Sequence, residues 1–183
     1  MTNFRSGYGA TWLDLLATVR NRYKPQSMTD YLADPAALRA WLTEHDLQPT
    51  GAVTDSDLSR TRELREALHR TVLAVLASTG PAASDLRLMD AALAADRPLR
   101  VRRTADTLRV ARPVSVDEAL ARLTRQAVTD LADPQRTSLR SCGDDVCSGV
   151  FLDPTGRRRW CSDELCGVRH RVREHRARAR AAR

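Results

Sequence analysis

Aromatic residues make up only 4% of this 183-residue chain: two Phe, three Trp and three Tyr. Within the last third only Phe151 and Trp160 remain, so no platform for stacking unpaired bases is present, which argues against single-stranded RNA as the main partner. Apolar runs near ~18 residues are missing, which excludes a membrane-spanning helix. The opening stretch "MTNFRSGYGATWLDLLATVRNRY" is amphipathic and carries Asp14. It lacks the apolar core and cleavage pattern of a signal peptide, so a cytoplasmic protein is expected. Also missing are a Gly-rich phosphate loop, a Ser/His/Asp or Cys/His arrangement, and paired carboxylates in a recognisable frame. His45 and His69 stand alone and read as surface or helix-packing residues. No enzyme is expected.

Cysteine is absent from the first 141 residues and then occurs four times in 25 positions, at Cys142, Cys147, Cys161 and Cys166. Lysine is nearly absent too: of 30 basic residues only Lys24 is not arginine. From Arg157 to Arg183, ten Arg against three acids leave +7, which equals the charge of the whole chain. Residues 1–156 are therefore neutral, and the basic character belongs to the segment that follows the cysteines.

The neutral part reads as helices. Leu13, Leu16 and Val19 fit a helix over about 10–22, ended by Lys24-Pro25. Asp34 caps "DPAALRAWLTEH", with Pro35 at the first helical position. Leu64, Leu68, Val72, Val75 and Leu76 repeat at helical spacing over about 55–78, and Gly80-Pro81 stops them. Ser84 is expected to cap a further helix to about Ala95. In "LRVRRTADTLRVARP" apolar residues alternate around Thr104-Ala105-Asp106, the pattern of a β-hairpin. Ser115 with Glu118 predicts a capping box opening a helix over 116–131. The polar stretch "ADPQRTS" then reads as a linker, placing domains at 1–135 and 138–183.

The cysteines follow C-x4-C, thirteen intervening residues, and C-x4-C. Two paired knuckles around a short hairpin make a tetrahedral thiolate site, the closed geometry of structural zinc. C-x4-C is not the C-x-x-C of a redox dithiol, and clustered cysteines in a reducing cytosol are more often metal ligands than disulfides. Four thiolates leave no open position for a catalytic water, so the expected metal is one Zn2+ per chain that holds the fold. Ser162 is placed as a helix cap, with Asp163 and Glu164 in the first turn. The expected class is mainly α: a helical bundle with one β-hairpin, followed by a small C-terminal zinc finger of β-hairpin plus long basic helix.

"RRWCSDELCGVR" resembles the signature of CGNR-type zinc fingers, and "CGDDVCSGVFLD" is similar to that family's first knuckle. "WLDLLATVRNR" and "YLADPAALRAWL" resemble the opening of the ABATE domain that accompanies such fingers. The resemblance implies a bacterial transcription regulator, induced by stress, with a DNA-binding finger and an N-terminal sensor or dimerisation domain. Val168 stands where the naming motif has Asn, and Ala17-Thr18 where the first helix tends to have Asn-Thr.

At 100° per residue, Arg169, Arg173, Arg176 and Arg180 fall within an arc of about 60° on the last helix. Arg171 and Arg178 lie on another side, and Val168 and Val172 on a narrow face suited to packing. Only Glu174 interrupts the stripe, and like charges along one face destabilise a helix, so a polyanion is the expected partner. Arg157, Arg158 and Arg159 stand beside the helix start. The expected duplex-DNA contacts are Arg157, Arg158, Arg159, Arg169, Arg171, Arg173, Arg176 and Arg180. Arg169, nearest the metal, is expected to read bases, while Arg173 and Arg176 meet phosphates. Docking of the basic helix on an acidic protein, or RNA binding, are the rival readings. A small-molecule effector is expected near Thr18, Arg20, Arg22 and Tyr23, and a homodimer is possible.

Overall fold

A computed structural model describes residues 4–133 and 138–181. The linker expected around 132–138 falls largely outside the described residues. The chain forms two compact units. One holds Tyr31–Asp133. The other joins Arg5–Asp30 to the C-terminal residues from 138 on, so the segment with the first helix lies in the unit that carries the cysteines.

In the first unit, helices pack on helices: α2 (Pro35–Glu44), α3 (Asp55–Leu76), α4 (Ala83–Leu93) and α5 (Val116–Ala132). Each start has a local cause. The Asp34 carboxylate accepts from the Ala37 N–H at 2.7 Å, with Pro35 at the first position. Thr54 and Asp57 close a reciprocal capping box at the head of α3. Ser115 accepts from the Glu118 N–H at 3.2 Å, but Glu118 reaches past the cap to the Val114 N–H at 2.9 Å. Helix α4 starts one residue before Ser84, behind Ala82, which supplies no side-chain cap.

The apolar stripes of α2, α3 and α5 meet in a core that completely buries Trp41, Leu38, Leu42, Leu68, Val72 and Ala119. Each large side chain buried there contributes roughly 1.5–3 kcal/mol. One ion pair ties α3 to α4, Arg70 to buried Asp85 at 2.6 Å, and a second braces α5 along its own length, Arg122 to Glu118 at 2.6 Å. Burial works against the Glu118 charge, yet the Val114 N–H and Arg122 hold its carboxyl below the ordinary glutamate range. A two-stranded hairpin, β3 (Val101–Thr104) and β4 (Thr107–Val110), links α4 to α5.

In the second unit, α1 spans only Thr11–Leu16. The chain then extends, and β1 (Val19–Arg20) pairs antiparallel with β2 (Thr29–Asp30). The periodicity that suggests a helix to residue 22 fails because β-branched Val19 is buried in this extended pairing. Trp12, Leu13, Leu15 and Leu16 are buried, and α1 packs on β6 (Val150–Leu152). Strand β6 pairs with β5 (Leu139–Ser141), aligning Leu139 with Leu152 and Ser141 with Val150. The Tyr8 carbonyl accepts from the Leu152 N–H at 2.8 Å. That approach requires Gly9: its φ is +99°, and a Cβ there would lie 2.7 Å from the Cβ of Leu152. A π-helical turn, Asp163–Gly167, leads into α6 (Val168–Ala181). Ser162 precedes that turn without a side-chain capping bond.

Candidate metal centre and basic helix

The knuckles fold so that the two cysteine pairs face each other. Cys142 follows β5, Cys161 follows the chain's return past the Asp153–Gly156 turn, and Cys166 sits in the π-helical turn. The four sulfurs lie within 4.8 Å of one another, with 3.6 Å between Cys147 and Cys161 and 3.5 Å between Cys161 and Cys166. Thiolates about 2.3 Å from a central zinc stand about 3.8 Å apart in a tetrahedron, so this set fits Zn2+. Protons serve the cluster poorly. Hydrogen bonds, first from Cys147, hold the Cys142 thiol far below its ordinary range, while bonds to Cys142 push the Cys161 thiol far above it. A cation lets all four carry charge together.

The sulfur charge is spread onto donors. The Gly149 N–H points at Cys147 Sγ (3.3 Å), the Cys161 N–H at Cys142 Sγ (3.5 Å), and Arg169 Nη2 at Cys166 Sγ (3.3 Å). Gly149 leaves the room this needs, since a Cβ would lie 3.0 Å from Cys161 Sγ. Tyr8 comes from the N-terminal segment and is 5% exposed. Burial first, and then its position beside Cys161, push its hydroxyl well above the ordinary tyrosine range, so Tyr8 stays protonated beside the cluster. Such outer partners set ligand orientation.

Asp144, between the first two cysteines, is fully buried and serves as the anchor of α6. Arg169 Nε donates to its Oδ2 at 2.6 Å, and Arg173 Nη2 donates to its Oδ1. Arg173 also reaches Asp145 at 2.7 Å. Burial opposes the Asp144 charge, but Arg173, the Val146 N–H and Arg169 hold its carboxyl below the usual aspartate range. Arg158 is likewise committed. Its guanidinium donates to the carbonyls of Trp160, Cys161 and Gly7 and stacks over Phe151 at 4.6 Å. Asp153 accepts from the Arg158 N–H and fixes the turn between β6 and that arginine.

The predicted basic residues therefore separate into groups. Arg158, Arg169 and Arg173 fasten the finger internally. Arg159 lies over the Trp160 ring at 4.7 Å. Arg171 meets exposed Asp163 at 3.1 Å and Arg178 meets Glu174 at 3.4 Å. Arg157, Arg176 and Arg180 are exposed and make no ion pair among the described residues. Helix α6 buries no residue, and Val168 and Val172 are 44% and 42% exposed rather than packed. His170 instead fills the inner side of α6, 4.6 Å from the Trp160 ring.

Thr18 is buried and donates to the Leu15 carbonyl at 2.7 Å, Arg20 lies in β1, Arg22 follows it half-buried, and Tyr23 is 53% exposed. All four belong to the unit with the cysteines. The helical unit has its own cavity of about 540 Å³, floored by Leu64, Leu88 and Leu120 and rimmed by Arg60, Glu63 and Asp117.

No helix among the described residues is long and apolar enough to cross a membrane. No curated protein matches the sequence significantly. Residues 138–179 match the CGNR zinc finger. Residues 9–134 match the ABATE family, described as a putative stress-induced transcription regulator. The protein is thus a zinc-binding member of the ABATE family that carries a CGNR zinc finger.

Proposed function

We propose that this protein is a zinc-dependent transcription regulator whose C-terminal finger binds duplex DNA in the cytoplasm of a bacterium. The observation that carries the reading is the contrast along α6. Its base is clamped to the metal knuckle through Asp144, while Arg176 and Arg180 project with no acidic partner among the described residues. A helix held rigidly at one end and cationic at the other is suited to lie along a phosphate backbone, where each neutralised phosphate releases counterions. Bound zinc would join the two knuckles into one rigid base for that helix. Arg157 extends the cationic surface, and Arg171, whose Asp163 partner is solvent-exposed, can exchange it for phosphate at little cost. Arg169, expected from the sequence to read bases, is bonded to Asp144 and Cys166 and in this reading aims α6 instead.

The ABATE assignment favours DNA over an acidic protein partner, and the scarcity of aromatic residues disfavours single-stranded RNA. The apolar cavity of the helical unit is where an effector of drug-like size would bind. The test is a mobility-shift series on genomic fragments at rising salt, with the protein zinc-loaded and after chelation. Protection of a discrete promoter site that disappears with the metal supports the proposal. Binding that is equal with and without metal, or absent throughout, defeats it.

A further inference from the structure

The hairpin of the helical unit is built against its own electrostatics. Residues 99–112 hold five arginines (Arg100, Arg102, Arg103, Arg109 and Arg112) against a single acid, Asp106. All eight strand residues are exposed, with Val101 and Leu108 at 64% and 71%. A two-stranded ribbon that packs on nothing is marginal in water. The register makes it worse, because Arg102 stands directly opposite Arg109. Like charges so placed are destabilising. Arg100 shares their face, which otherwise carries Ala111, Thr104 and Thr107.

Elsewhere in the same unit several arginines are matched by acids. Arg60 meets Asp57 and Asp117, Arg70 meets Asp85, Arg122 meets Glu118, and Arg125 meets Asp96. On the hairpin, Arg103 donates to the Ala105 carbonyl at 3.1 Å. Arg100, Arg102, Arg109 and Arg112 make no ion pair among the described residues.

We propose that this ribbon is a second DNA contact, with Arg100, Arg102 and Arg109 turned to the phosphate backbone. The proposal rests on the DNA reading of the finger and adds a contact from the other unit. Charge complementarity selects the partner: a polyanion removes the Arg102–Arg109 conflict and supplies the counter-charge that the unit lacks there. The dimensions agree, since a two-stranded ribbon is one of the few elements that the roughly 12 Å major groove admits. The opposite face, with Val101, Leu108 and Val110, would pack against sugars and base edges or remain in solvent.

The test uses the full-length, zinc-loaded protein and a mixed-sequence DNA duplex, with affinity followed across a salt series. The triple variant Arg100→Gln, Arg102→Gln, Arg109→Gln should lower the magnitude of the salt slope by about 0.9 per contact and weaken binding roughly a hundredfold near 0.1 M salt. Zinc content and the helical signal should not change. The corresponding Arg→Lys triple variant should retain the slope, because a phosphate contact needs only the charge. If the Gln variant binds like the wild type while finger variants lose affinity, the hairpin is not a DNA contact and the finger reading survives. If the wild type shows no salt-dependent binding, the finger reading fails and takes this inference with it. If Leu108→Ser converts a dimer to a monomer while the arginine variants leave binding untouched, the ribbon is a protein interface and the proposal is overturned.

Discussion

The two units fill their interiors by different means. In Tyr31–Asp133 the interior is Leu38, Trp41, Leu68 and Val72 on facing helices, and ion pairs such as Arg122–Glu118 sit at its edge. In the cysteine unit Leu139, Val150 and Phe151 are buried on the β5–β6 pair next to the first cysteine, and α1, with Trp12, packs on β6. Helix α5 exists because its stripe is buried. Helix α6, with no buried residue, exists because its base is tied to a metal knuckle through Asp144. Stability and function are thus distributed differently: one unit is held by hydrophobic burial alone, the other by burial together with ligands that also aim a basic helix.

Removing the metal should break the symmetry of this comparison most strongly. Chelation, or Cys166→Ser, should open the cysteine unit and leave the helices folded. The tryptophans report the units separately: Trp12 and Trp160 lie in the cysteine unit and Trp41 in the helical one. Emission from a variant retaining only Trp41 should stay blue after chelation, whereas one retaining only Trp12 should shift to the red. An equal shift in both would mean that the units do not differ as described. The mirror experiment is Leu68→Ala. It should cost about 2–5 kcal/mol of helical-unit stability, with zinc still bound at one per chain.

A smaller effect sharpens the electrostatic side of the helical unit. Because the folded-state pKa of Glu118 is depressed, its contribution is present above the ordinary glutamate range. It is lost as pH falls through the lower folded value. Denaturation followed between neutral and strongly acidic pH should show this loss in the wild type. In Glu118→Gln it should be absent, and that variant should start about 1–3 kcal/mol less stable. Asp144→Asn is expected to act more locally: zinc stays bound, but Arg169 and Arg173 lose their anchor and the base of α6 loosens. Hydrogen exchange over 168–173 should rise while exchange in α3 does not change.

What could be read from the sequence follows the range of the interactions. The C-x4-C pairs, the Asp34 cap and the long stripes of α3 and α5 are local patterns, and each predicts its element. Helix α1 stops at Leu16 because Val19 pairs with Asp30, a contact that helical periodicity does not encode. Periodicity puts Arg169 and Arg173 on one stripe with Arg176 and Arg180. It does not say that Asp144, 25 residues before Arg169, faces the first two. A hint was available, since Asp144 stands inside the first knuckle where a buried acid needs a cationic partner. Tyr8 gave no such hint. Its approach to Cys161 depends on Gly9 resting against Leu152, a relation across 143 residues.

The central claim is that the metal-anchored base of α6 presents its outer arginines to DNA. The most direct measurement is the salt dependence of duplex binding for Arg176→Gln, Arg180→Gln against the wild type, both zinc-loaded. The account predicts a salt slope smaller in magnitude by about 1.8, which is 0.9 for each lost phosphate contact, with zinc content and α6 helicity unchanged. A double variant that binds with the wild-type slope would contradict it.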